Sequence, residues 1–276
     1  MAKPLQLLAE THYENFPVAS FILSKEFKGP IRLVYAFARV ADDIADEGKD
    51  SKETRLQRLS EWEGEFVKAL AGEISIPFFQ ELAETVVKYS IPQSLFFDLI
   101  AAFQMDCIGR EYNTFEDLLF YCRHSANPVG RILLHIFSCA NDKTCSLSDA
   151  ICTSLQLTNF WQDLSIDIKR NRVYIPREDF ERFGLTAGDL RSGSGTDNVR
   201  LLLKFQVERT KKLFLDGKSL FGLIDKRFAF DLRLTYHGGV RILEKIESDD
   251  YSVLHHRPAL SKYDWALIGI RSFIAR

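Results

Sequence analysis

The stretch "YAFARVADDIAD", residues 35–46, sets Asp42, Asp43 and Asp46 within five positions of an otherwise apolar run. Like charges this close repel, and burying them costs several kcal/mol per ion unless something neutralises them. On a helix, Tyr35, Arg39, Asp42 and Asp46 recur at i, i+4, i+7 and i+11. They form one narrow stripe with Asp43 at its border. Every other position from Ile31 to Ala45, Arg32 apart, is apolar. A surface helix would show a broad polar face. This pattern predicts a mostly buried helix whose thin acidic stripe faces an internal cavity.

A second stretch repeats the design. In "SLQLTNFWQDLSID", residues 154–167, Gln156, Asn159, Asp163 and Asp167 form another stripe among Leu155, Leu157, Phe160, Trp161, Leu164 and Ile166. Two acidic stripes on buried helices are accounted for if they face each other with divalent cations between them. Carboxylate oxygens suit hard cations, and Mg²⁺ shares its shell with water and substrate phosphates. A phosphorylated ligand with a hydrocarbon body is therefore expected in an apolar cavity. The alternative is two solvated acidic helix ends, which need no ligand.

The rest of the chain agrees with a helical protein. It has 276 residues, 46% apolar and 27% charged, ordinary for a globular fold. Helices are expected over 5–24, 30–47, 52–71, 76–89, 92–109, 114–122, 127–140, 147–167, 198–223, 226–248 and 261–272. Pro30, Pro77 and Pro92 stand where helices should begin, as do Thr114 and Ser146. Residues 168–197, with Pro176 and four glycines, read as a long loop within a single domain over 1–276. A net charge of −2 gives no global basic field, and no nucleic-acid motif is present. Five cysteines without paired spacing point to reduced thiols and a cytoplasmic setting. No apolar run reaches the length of a membrane span. The C-terminal "DWALIGIRSFIAR" reads as a core helix, with contact to a membrane surface as the alternative.

These motifs carry a resemblance. "YAFARVADDIAD", "LQLTNFWQDLSIDIKRNRVYIP" and "QMD…YNTFEDLLFYC" resemble the squalene/phytoene synthase family of head-to-head prenyl synthases, in order from about His12 to His256. The resemblance implies an all-α isoprenoid-synthase bundle with a central cavity and Mg²⁺-dependent diphosphate chemistry. It implies that Asp42, Asp43 and Asp46 form one metal motif and Asp163 and Asp167 the other, with Asn159 and Gln156 alongside. Tyr35, Arg39, Tyr121, Arg172 and Tyr174 fall on further motif positions. "HYENFPVAS", "SANPVGR" and "NFWQD" are similar to the hydroxysqualene synthase branch of hopanoid pathways, which takes presqualene diphosphate and water to hydroxysqualene and diphosphate. Tyr13 and Asn15 replace hydroxyl-bearing residues common elsewhere in the family, and Gln162 stands where an arginine is common.

On this reading the acids bind metal and the metal stabilises the departing diphosphate. Arg39, Lys169, Arg170 and Arg172 are candidates for orienting the charged end. Phe16, Phe37, Phe103, Leu155, Phe160 and Trp161 are candidate walls for a carbocation. Tyr13, Tyr121, Asn159 and Gln162 are candidates for positioning the quenching water, and His124 is a weaker one. No nicotinamide cofactor is demanded. The expected partner is a prenyl diphosphate, whose hydrocarbon favours a peripheral encounter with a membrane. Competing readings are a squalene-type or phytoene-type synthase and, from another class, a non-catalytic helical lipid binder.

Overall fold

The computed structural model of the chain describes residues 25–46, 50–74, 76–191 and 197–274. Among the described residues every regular element is helical. In chain order these are α1 (Lys25–Asp46), α2 (Lys52–Leu70), α3 (Pro77–Lys88), α4 (Ser94–Ile108), α5 (Phe115–Ser125), α6 (Asn127–Ile136) and α7 (Asp142–Gln162). Then come α8 (Leu164–Lys169), α9 (Arg177–Arg182), α10 (Ala187–Arg191), α11 (Asp197–Gly217), a 3-10 turn (Lys218–Gly222), α12 (Lys226–Ser248) and α13 (Lys262–Ile274). None of the described helices is long and apolar enough to cross a membrane.

The chain forms two compact units. The first contains the residues up to Arg110 and Pro128–Asn141; the second contains Glu111–Asn127 and Asp142–Arg276. The described residues of the stretch 168–197 lie within the second unit.

The first unit is built on α1. Alanines at 36, 38, 41 and 45 favour helix, and its apolar side buries Val34, Phe37, Val40, Ala41 and Ile44. The Phe37 ring centroid lies 5.2 Å from that of Phe66 on α2 and 5.3 Å from that of Phe96 on α4. Each such aromatic, fully removed from water, contributes about 2–3 kcal/mol before entropy is counted. Ser51 caps α2 through its side-chain oxygen, and Pro77 opens α3 at the first position, where its missing N–H is harmless.

In the second unit α7 packs along α11, α12 and the 3-10 turn, and α13 packs on α12. Gly217 makes the α7–α11 approach possible. A Cβ there would sit 2.5 Å from Ile151 Cγ1 and 2.8 Å from the Leu147 carbonyl oxygen. Thr114 and Asp117 form a reciprocal capping box at the start of α5.

Four expectations change. Pro30 lies inside α1, not at its start; the helix forgoes one hydrogen bond there and persists because its apolar side is buried. The helix expected over 147–167 begins earlier, at Asp142, so Ser146 does not start it. It also breaks at Asp163, which has φ −97° and ψ 8°. The 168–197 stretch contains two short helices, α9 and α10. Finally, α13 is a surface helix: only Asp264, Ile268 and Ser272 are buried. The expected helix over 5–24 falls outside the described residues.

Candidate functional site

The first acidic row occupies the last two turns of α1. The partial negative charge of a helix's C-terminal end disfavours carboxylates there, and this last turn contains no basic residue. Asp42, Asp43 and Asp46 are therefore not helix caps, and capping cannot be why they are there. Arg39 gives the local compensation. Its Nη1 lies 2.8 Å from Asp42 Oδ2 and its Nη2 2.8 Å from Asp43 Oδ1, so one guanidinium forks across two acids. Tyr35, one turn earlier, is half-buried. Burial, reinforced by Asp43 and Asp42 and opposed by Arg39, raises its pKa, so the phenol keeps its proton. Asp46 is half-buried beside the Ala45 carbonyl, which accepts a 2.7 Å hydrogen bond from Arg55 Nη1.

The second row spans the α7–α8 break. Asp163 N donates to the Asn159 carbonyl, and the Asp163 carbonyl accepts from Ile166 and Asp167. Hydrogen bonding therefore carries through the bend while Asp163 leaves helical geometry. Both residues at the break are tied to one loop. Gln162 is buried and donates from Nε2 to the Pro258 carbonyl at 2.7 Å. The adjacent Arg257 forks onto both oxygens of Asp163, donating from Nε to Oδ1 and from Nη2 to Oδ2. Asp167 and Gln156 are half-buried, and Asn159 is exposed. The Asp167 carbonyl accepts from the backbone of Arg170 and Arg172, folding the basic turn back on α8.

Four aromatic rings gather beside this row. Phe160 and Tyr174 stack at 3.8 Å, and Tyr121 lies 5.9 Å from Tyr174 and 5.8 Å from Tyr112. Distant segments bring them together. Arg177 N donates to the Tyr112 carbonyl and Glu178 N to the Asn113 carbonyl. Buried Asp179 accepts from Gln206 at 2.8 Å and Arg209 at 2.7 Å, fixing that segment to α11.

Several candidates sit elsewhere than expected. Phe37 and Trp161 are fully buried core residues, not cavity walls. Phe37 packs in the ring cluster of the first unit, and Trp161 Nε1 donates to Thr210 at 2.9 Å. Gln162 spends its amide nitrogen on the protein itself. His124 bonds the Phe120 carbonyl one turn back through Nδ1. Phe103 and Leu155 are half-buried. Tyr13 and Phe16 lie outside the described residues. Sequence reasoning missed Arg257 and Tyr112; Arg257 is 94 residues from its partner and carries no local spacing signal.

Among the described residues no three His, Cys, Asp or Glu side chains form a closed metal cage. Mg²⁺ does not require one. It takes one or two carboxylates and completes its octahedron with water and phosphate oxygens. By the chemistry of their donors, Asp42, Asp43 and Asp46 in one row and Asp163 and Asp167 in the other fit such an ion.

The squalene/phytoene synthase family profile matches residues 9–264. A hydroxysqualene synthase of Zymomonas mobilis is 33% identical over 253 residues, covering 89% of this chain and 84% of that protein. One of Rhodopseudomonas palustris is 33% identical over 239 residues, covering 86% and 80%. Among solved structures, a squalene synthase from Alicyclobacillus acidocaldarius superposes with a TM-score of 0.84 at 40% identity, over 90% of this chain and 93% of that one.

Proposed function

The chain belongs to the squalene/phytoene synthase family, and from that premise we propose that it is a hydroxysqualene synthase. The reaction is presqualene diphosphate and water to hydroxysqualene and diphosphate. The observation that carries the diphosphate chemistry is the acid row on α1, set where the helix dipole opposes it and compensated by one forked arginine. The particular reaction is supported by two hydroxysqualene synthases, each 33% identical over more than four fifths of this chain.

Asp42, Asp43, Asp46, Asp163 and Asp167 would hold divalent cations for the substrate's diphosphate. When bound, the cations supply Lewis-acid stabilisation of the leaving group. Arg39 orients Asp42 and Asp43 and limits their mutual repulsion. Arg172, with Tyr35 and Gln156, serves the diphosphate end. The C–O bond breaks with its electron pair leaving on diphosphate. The Tyr112, Tyr121, Phe160 and Tyr174 rings offer π-faces to the cation and exclude stray water. One water then adds to the rearranged cation and loses a proton, with Tyr121 or Asn159 to position it. Tyr13 and Phe16 are assigned to substrate binding on the sequence motif alone.

The test is to incubate pure protein with presqualene diphosphate and Mg²⁺ without reductant and identify the product by mass. Hydroxysqualene is expected. Efficient conversion of farnesyl diphosphate alone to presqualene diphosphate contradicts the proposal. A second reading, a squalene synthase, is favoured by the name of the 40% identical structure. It requires squalene formation that depends on a nicotinamide reductant.

A further inference from the structure

Helix α13 buries Asp264, Ile268 and Ser272 and leaves most of its apolar side chains exposed. Asp264 is buried, accepting from Arg241 Nε at 2.6 Å and from Lys245 at 3.1 Å. Buried Ser272 lies on the same side, and Arg271 donates to Glu244 at 2.6 Å. Tyr263, Ala266, Ile270, Phe273 and Ile274 recur at i, i+3, i+7, i+10 and i+11, one continuous stripe without a charge. All five are exposed; Tyr263 is 89%, Phe273 82% and Ile274 72% accessible. A soluble surface helix is patterned the other way, and an exposed aromatic stripe of this kind marks a docking surface.

Cations border the stripe on both sides. Lys262 is exposed along one edge. On the other, Arg271, Arg233 of α12 and Lys218 of the 3-10 turn gather around the neutral His237 of α12. Burial first, then Arg271, Lys218 and Arg233, hold the His237 pKa below its usual value, against the opposing pull of Glu244. Arg233 Nε and His237 Nε2 are buried and make no hydrogen bond among the described residues. Glu244, the acid in this group, is already shared by Arg241 and Arg271.

We propose that α13, with the cationic seam it forms with α12, lies in the surface of an anionic phospholipid bilayer. A helix lying in the interface sinks its apolar face among acyl chains, with Tyr and Trp at headgroup depth and cations near lipid phosphates. Tyr263 and the partly exposed Trp265 stand at its N-terminal end. A second copy of this chain would bring the same cations against themselves, whereas an anionic bilayer complements them. The placement rests on the proposed function for its purpose only: a hydrocarbon substrate and product are held in the bilayer.

The full chain is mixed with vesicles of equal phosphatidylglycerol and phosphatidylcholine, or of phosphatidylcholine alone, and sedimented. Binding to the anionic vesicles is expected to be about tenfold tighter, and to weaken with salt. The double variant Ile270→Glu, Phe273→Glu should lose about tenfold or more of that binding, with unchanged melting and unchanged turnover of detergent-dispersed substrate. Equal binding of variant and native chain overturns the proposal. So does absence of binding to either vesicle, or a lipid-free dimer that the variant splits. Vesicle binding is read without turnover, so failure of the proposed reaction shows separately.

Discussion

Asp231 on α12 shows how one side chain's surroundings set its protonation. It is buried, and its Oδ2 makes no hydrogen bond among the described residues. Burial raises its pKa from 3.8 to about 6. The folded chain therefore holds this proton more tightly than the unfolded chain between about pH 4 and pH 6. Stability present below that window is lost as pH rises through it. Asp231→Asn removes the charge and should stabilise by about 1–3 kcal/mol at neutral pH, with no gain near pH 4. Melting curves at both pH values check this. Arg39 works in the opposite sense, by holding two charges together. Arg39→Ala should cut kcat/KM by about 10–100-fold, and Arg39→Lys should restore only part, because an ammonium cannot fork across Asp42 and Asp43. Steady-state kinetics at fixed Mg²⁺ measure both. The acid rows were legible because i, i+4 spacing in an apolar run is a local signal. Arg257 was not: its contact with Asp163 exists only once the 251–261 loop folds back, and nothing near Arg257 in sequence announces it.

At the level of elements, periodicity placed nearly every described helix, and α12 ended where its spacing said it should. Its failures were places where tertiary contacts outweigh local pattern. The α7–α8 break has no glycine or proline to mark it. Gln162 and Asp163 are held instead by Pro258 and Arg257. The short α9 rests on Asp179, whose partners Gln206 and Arg209 lie on another helix. Helix α13 looked like core because composition shows apolar content but not direction; of the three residues it buries, two, Asp264 and Ser272, are polar. The α7–α11 contact gives a direct test of packing. Gly217→Ala drives a methyl into Ile151 and the Leu147 carbonyl and should cost about 1–3 kcal/mol. Differential scanning calorimetry should show a lower melting temperature. An unchanged one would mean that α7 and α11 do not approach this closely.

For the whole molecule, the sequence alone supported the family and the all-α class, because two acid motifs in a fixed order form a long-range pattern that composition cannot mimic. It also held the argument for a shared ligand, since two acidic stripes on otherwise apolar helices call for cations between them. The most direct measurement is the rate of diphosphate release from presqualene diphosphate with Mg²⁺, for Asp46→Asn, Asp163→Asn and the double variant, each shown to be folded. If both rows act on one diphosphate, each single change should slow release about a hundredfold or more, and the double little further, as for groups acting as a unit. A near-native rate in either single variant would contradict the account.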